Sequence, residues 1–387
     1  MSYFPSLPSN RSFWFLPLFV LVWLPKFVFP ADTVVISRAA TQVTLQGEIV
    51  VEAQDGGMMF RANDGRIWMI QPDEVQSKRS DDRPFSGIDA NAFGKQLIAT
   101  LPASAGKFRV LKSKDIVIAY NTSPAFANWV KGVYLRLTVA FANFWDNKGM
   151  KLSKPDVPLG VIIFKTKQEF DSYSIQTLGS AQGSALAYYN MQTNQVVMYD
   201  LTGLGQFGGR RVSSTSQLTK ILRQPAAEAM VATIVHEAVH QISFNTGLQN
   251  RFGPYPFWLN EGLAMFFEVP DLKSRSGWHG IGKMNHVRLE QIKQMVRGDT
   301  TRFFDDVLAS DERFRDPEQI LNSYAESWAL NFYLIHRKPK EYIGYLQDIN
   351  KQVPLTEISK EERLELFTKH FGSLDEVKSE CFRYILR

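Results

Sequence analysis

The chain has 387 residues, 44% of them hydrophobic, enough to bury a large core and to build two domains. Its 44 lysines and arginines against 39 acidic residues leave a formal charge of +5, spread without basic runs, which argues against nucleic-acid binding. A single cysteine, Cys381 in a terminal amphipathic segment, excludes an intramolecular disulfide framework and any cysteine-built zinc cage.

At the start of the chain, Arg11 precedes the apolar run Phe13 to Leu24, followed by Lys26 and the turn-prone Phe29-Pro30-Ala31. The run has the length of a signal-peptide core and is short for a membrane span. Phe29 stands where a small residue is wanted for a cut after Ala31, so residues 1–31 read either as a signal peptide or as an uncleaved membrane anchor. Both imply export to a periplasmic, cell-surface or secreted location.

Residues 32–121 read as β-rich. Gly47–Gln54, Met58–Ala62 and Arg66–Ile70 are β-prone runs separated by Asp55-Gly56-Gly57 and Asn63-Asp64-Gly65. Asp-Gly between such runs signals tight hairpins, here a three-stranded meander. Gln76 to Pro84 reads as a charged loop, Leu97–Leu101 as a short helix or strand, and Lys107–Leu111 and Ile116–Tyr120 as further strands. This region carries no evident chemistry; it is expected to be an accessory or substrate-presenting module, or a structural brace.

Residues 122–387 follow a different pattern. Pro124 opens a helix to about Asp146, with Phe126, Trp129, Val133, Leu137, Phe141 and Phe144 at helical spacing as a core stripe. Leu159–Phe164 is a buried strand, Lys167 begins a short helix, and the Ser-, Gly- and Gln-rich residues 172–186 read as a loop. Ala187–Tyr189 and Gln195–Asp200 form a hairpin around Gln192-Thr193-Asn194. Gly203 to Gln224 reads as a linker able to overhang a site. Beyond residue 280, helices are expected over Ile281–Arg297, Glu318–His336, 339–349 and 360–386.

The chemistry lies in Val231 to Glu268. Pro225 suits a first helical turn, Ala226 to Met230 favour helix, and Gly247 supplies a stop. Val231, Val235, Ala238 and Ile242 form an aliphatic stripe for burial against a sheet. On such a helix, residues four apart share a face, so His236 and His240 of His236-Glu237-x-x-His240 can grip one metal ion. Glu237 is then free to hold a water rather than the metal. Two imidazoles, one general base and a third ligand from elsewhere make the pattern of a zinc hydrolase, with Zn2+ as cofactor. A helix whose two histidines only hydrogen-bond in the core is the alternative.

The run His236-Glu-Ala-Val-His240, followed by Trp258-Leu-Asn-Glu-Gly-Leu-Ala-Met-Phe-Phe-Glu268, resembles the gluzincin branch of the HExxH metallopeptidases, in particular the Asn-Glu-Gly-Phe-Ala helix of the aminopeptidase N-like family. The resemblance implies that Glu261 is the third zinc ligand. A second glutamate seven residues on matches at Glu268, either orienting a ligating histidine or ending the helix in solvent. Asn260 is expected to cap or anchor the Glu261 helix. A strand just before the metal helix borders the cleft and pairs with extended substrate in such folds; residues 195–200 take that place by resemblance. Tyr324 is the candidate donor to the oxyanion, at a separation similar to that of the transition-state tyrosine in these enzymes, or else a core tyrosine. His279 and His286 sit in or beside a Gly-rich stretch, as loop groups reaching the site or as surface histidines; His336 and His370 suggest no metal.

Over most of residues 33 to 340 the chain also resembles an uncharacterised bacterial family, domain of unknown function 1570, usually secreted and grouped with peptidases without a known substrate. One departure from the aminopeptidases matters. They hold the substrate amine with a Gly-x-Met-Glu-Asn segment, whereas Gly183 to Asn190 here contains no acidic residue, so exopeptidase action does not carry over. The expected fold is α+β: a zincin-like metallopeptidase domain over 122–387, with a mixed sheet, an active-site helix and a helical C-terminal part, preceded by the β-rich region. The expected partner is a peptide or protein substrate. The alternative is a secreted or membrane-anchored binding or scaffold protein with an inactive zincin-like domain.

Overall fold

A computed structural model of the protein describes residues 30–39, 41–178, 185–209, 211–272, 277–298 and 300–387. The expected signal or anchor segment lies outside the described residues. No helix among those described is long and apolar enough to cross a membrane.

The architecture is mixed α+β, with two five-stranded sheets and, among the described residues, twelve α-helices. The first sheet is wholly antiparallel and contains β1 (Pro30–Arg38), β2 (Thr41–Glu52), β3 (Met58–Ala62), β4 (Ile67–Ile70) and β5 (Val75–Pro84), in the order β4-β3-β2-β1-β5. The meander read from the Asp-Gly turns is β2-β3-β4. Its inner face buries Val34, Ile36, Leu45, Met58, Phe60, Ala62 and Ile70 as a small separate core. Residues 76–84, expected as a loop, instead pair with β1, Val34 opposite Lys78 and Asp32 opposite Ser80. The strand was hidden because this edge faces solvent and carries charge, the usual protection of an open edge, so no apolar alternation marks it.

The second sheet contains β6 (Arg109–Lys112), β7 (Ile116–Tyr120), β8 (Leu159–Phe164), β9 (Ala187–Asn190) and β10 (Gln195–Tyr199), in the order β6-β7-β8-β10-β9. Strands β7, β8 and β10 run parallel; β6 and β9 are antiparallel edges. Every residue of β7, β8 and β10 is buried, as the continuous Ile/Val-rich runs require of strands covered on both faces. The expected domain division at residue 121 does not coincide with the division between sheets, because β6, β7 and α1 (Ala90–Ala99) belong to the second core.

The β7–β8 crossover is α2 (Pro124–Asn147), started by the Ser123 hydroxyl accepting from Phe126 N–H and by Pro124 in the first turn. Helix α3 (Lys167–Leu178) extends through residues expected as loop. Between β10 and the motif helix, short 3-10 turns at Leu201–Gly203 and Gly205–Phe207 and helix α4 (Thr215–Leu222) replace much of the expected linker. The motif helix α5 (Ala227–Asn245) lies against β9 and β10, and α6 (Phe257–Phe267) packs on it. Pro225 precedes α5 rather than opening it. Helices α7 (His286–Met295), α8 (Asp305–Ala309), α9 (Ile320–Arg337), α10 (Pro339–Asn350), α11 (Lys360–Phe371) and α12 (Leu374–Ile385) complete the chain. The single helix expected over 360–386 is thus divided in two at Gly372, which has φ +87°.

The two sheets are fastened to each other. Ile67 N–H donates to Gln192 O (2.7 Å), in the β9–β10 turn, and Ile88 N–H to Asn63 O (2.9 Å). Arg61 on β3 pairs with buried Glu48 (2.6 Å) and with Asp156 (3.2 Å), and lies over the Phe85 ring.

Candidate functional site

Helix α5 is held in register by its buried face. Gln241, beside His240, donates to Gly160 O of β8 (2.9 Å) and to Asn194 O beside β10 (2.8 Å). Val231, Val235, Ala238 and Ile242 are buried beneath it. Asn245 at its end exchanges two side-chain hydrogen bonds with Asn194 of the hairpin turn, tying helix to hairpin. Gly247, with φ +78°, turns the chain away toward α6.

This scaffold brings His236, His240 and Glu261 together, and it is the one cluster of its kind among the described residues. His236 Nε2 and His240 Nε2 are 3.2 Å apart, His236 Nε2 and Glu261 Oε2 3.1 Å, and His240 Nε2 and Glu261 Oε1 3.6 Å. Ligands about 2.0–2.1 Å from a tetrahedral cation stand about 3.3–3.4 Å from one another, so the three edges fit one small ion. His236 Nδ1 is 2.8 Å from Glu268 Oε2, and Glu268 Oε1 accepts from Asn285 Nδ2 at 2.8 Å. With its Nδ1 proton on Glu268, a neutral His236 turns a lone pair toward His240 and Glu261, a confrontation that a cation relieves.

Burial lowers His240 to about 4, keeping it neutral and able to ligate. For His236, burial is outweighed by its contacts to Glu261 and Glu268, and its basicity is raised. Glu261 is pulled below the ordinary carboxylate range because the two histidines outweigh its burial. Glu237 stands apart from the three: burial lifts it to about 7, and its Oε2 accepts the Tyr189 N–H of β9 at 2.8 Å.

A cleft of about 590 Å³ opens along the exposed side of α5, lined by His236, Glu237, Glu268, Arg288 and Tyr324 among others. Tyr324, on the second turn of α9, touches the Phe314 ring, and its phenol is held above its ordinary range by the Glu261 charge and by burial. Its position depends on the approach of α9 to α6. A side chain at Gly262 would meet Ser327 O at 2.3 Å and Asn331 Nδ2 at 1.9 Å. Asn331 Nδ2 donates to Trp258 O and Ser327 O, locking the pair.

Of the two roles expected for Asn260, capping is not met, because α6 begins after Pro256 and Asn260 lies within its first turn; its Oδ1 accepts from Gln249 Nε2 (2.6 Å), anchoring α6 to the segment that follows α5. The strand bordering the cleft is β9, not 195–200, since β10 is paired on both sides and β9 is the edge. His279 pairs with Asp271 at 3.0 Å, whereas exposed His286 lines the cleft. His336 Nδ1–H donates to Phe332 O within its own helix (2.8 Å), and His370 bonds Asp348, both outside the cluster. Sequence reasoning missed Asn285, Arg288 and Tyr189 N–H. An Asn directly before a helix was a readable capping signal for Asn285, which also accepts from Arg288 N–H; nothing local marked the other two.

Residues 230–356, which include most of α5, all of α6 and Tyr324, match the family described as protein of unknown function (DUF1570). The match begins at α5 and leaves out residues 33–229, over which the sequence reading had extended the resemblance. No curated protein matches the chain.

Proposed function

We propose that the protein is an exported zinc-dependent peptide hydrolase with a zincin-like domain. The observation that carries the reading is the spacing of His236, His240 and Glu261 at tetrahedral edges, with a fourth direction left to the cleft and Glu237 standing beside it unligated. A closed structural zinc site takes four protein ligands, and only three such groups converge among the described residues.

Zn2+ held by these residues would supply a Lewis acid that acidifies an adjacent water and polarises a peptide carbonyl. The chain's own groups do the rest. Glu237, at about 7, is matched to a proton that must be taken at neutral pH and then returned to the leaving amine. The Tyr189 N–H fixes which carboxylate oxygen is engaged with the sheet and leaves the other, Oε1, for the cleft. Glu268 and Asn285 hold the His236 ring so that Nε2 faces inward. Tyr324, kept protonated by Glu261 and by burial, donates to the negative oxygen that develops on the carbonyl. The open edge of β9 would pair with an extended peptide.

The test is zinc per chain by elemental analysis, in the parent and in Glu261→Ala, followed by a peptide-library cleavage screen. About one zinc in the parent, poor retention in the variant and zinc-dependent cleavage are expected. A folded parent that takes up no supplied zinc would overturn the reading and favour a binding or scaffold role.

A further inference from the structure

The cleft beside the cluster has an uneven charge distribution. Its acids at the metal end are engaged: Glu237 accepts the Tyr189 N–H, and Glu268 bridges His236 and Asn285. Glu228, two helical turns before His236 on α5, stands at the opposite end. Arg288, in the first turn of α7, lines the same wall as Tyr324, with its guanidinium 5.4 Å from the centre of that ring. It makes no close ion pair with any described carboxylate, in contrast to Arg313 with Glu326 and Arg363 with Asp311. The wall around it sets apolar Val269, Pro270, Met284 and Val287, the last 76% exposed, beside Asn285 and exposed His286. A guanidinium backed by an aromatic face and flanked by apolar wall is a strong, fork-shaped receptor for a carboxylate.

We infer that Arg288 is the substrate anchor of this cleft and that it selects peptides presenting a carboxylate close to the bond at the metal cluster. The inference rests on the hydrolase reading for what happens next, but the anchoring itself does not require turnover. The carboxylate belongs either to an Asp or Glu side chain or to a peptide C-terminus; both offer the same two oxygens to the fork. Arg288 is a specificity residue in this account, because it holds a substrate carboxylate and not the reacting atoms themselves.

The test measures binding to the full chain carrying Glu237→Gln, supplied with zinc, by calorimetry. The probes are two matched pairs: an acetylated alanine–alanine–leucine tripeptide as free acid and as amide, and an amidated tetrapeptide with an internal Glu or Gln. In at least one pair the acid is expected to bind about ten- to a hundred-fold more tightly, the range of a charge-assisted hydrogen bond. The pair that shows it identifies the source of the carboxylate. Arg288→Gln should abolish the preference, and Arg288→Lys should keep part of it, with unchanged melting temperature showing that the fold persists. Equal binding of acid and neutral probes, or no binding of any, would overturn the inference. So would a preference that survives Arg288→Gln, which would put the carboxylate elsewhere, or a uniform weakening of all probes, which would make Arg288 only a counter-charge to Glu261. Cleavage assays on the parent separate the two readings. Equal cleavage of acid and amide peptides sinks the anchor alone, and Arg288-dependent binding without any cleavage sinks the hydrolase alone.

Discussion

Gly262 and Ser327 meet with no room for a side chain between them, and this contact seats α9 on α6 at the level of the His236–His240–Glu261 cluster. Tyr324 lies one turn before Ser327, so the glycine of Asn260-Glu261-Gly262 sets the depth of the tyrosine in the cleft. Gly262→Ala should therefore act twice. Overpacking should cost about 1–3 kcal/mol, read as a lower midpoint in urea, and turnover should fall by more than the loss of folded protein explains. A variant as stable and as active as the parent would show that the helices part without consequence.

Glu237→Gln removes the proton acceptor while keeping shape and burial. Zinc content should remain at the parental level, and kcat should fall by about 10²–10⁴. Retained turnover would remove Glu237 from the role of base.

Glu268→Gln tests the orientation of His236. The amide still accepts from Nδ1 but carries no charge, so zinc affinity should weaken by about 10- to 100-fold in chelator competition, with the fold intact. Unchanged affinity would make Glu268 a helix end and nothing more.

Tyr324→Phe leaves the contact with Phe314 in place and deletes one donor. A loss of about 10²–10³ in kcat with little change in KM is expected if the phenol acts only on the developing oxyanion. A change confined to KM would instead assign it to substrate binding.

Far from the cleft, Asp348 on α10 accepts from Lys351 and Lys369 (both 2.8 Å) and from His370 (2.9 Å), which together hold its carboxyl far below the ordinary aspartate range. The unfolded chain therefore takes up this proton first as pH falls. The contribution is complete above the ordinary range, about pH 4, and is lost below it as the folded value is approached. Melting temperatures of the parent should drop more steeply from pH 5 to pH 3 than those of Asp348→Asn; parallel curves would rule the network out as a source of acid sensitivity.

The parts of the site that were legible in the sequence are those fixed by one helix or one motif. His236 and His240 follow from helical periodicity, and Glu261 and Glu268 from the resemblance carried by the run Trp258 to Glu268. Arg288 and the Tyr189 N–H were not legible, because α7 and β9 reach the cleft through tertiary packing that no local pattern encodes. Strands β7 and β8 stood out because both faces are buried, whereas β5 did not, since its partner β1 rather than its own composition makes it a strand. The exchange of β9 for β10 at the edge has the same origin: a hairpin declares its two strands but not which of them turns outward.

The hydrogen bond from Ile67 to Gln192 makes the chain hard to divide. The first sheet looks like a detachable appendage, yet it holds the turn whose strand presents Tyr189 to Glu237. Truncation before α2 would also strip β7 from β8, baring six fully buried residues along a parallel edge. Such a fragment should be recovered as aggregate rather than as a minimal enzyme. Limited proteolysis between residues 85 and 108 should likewise leave two pieces that stay together until denatured, so the part without an evident chemistry of its own is inseparable from the part that has one.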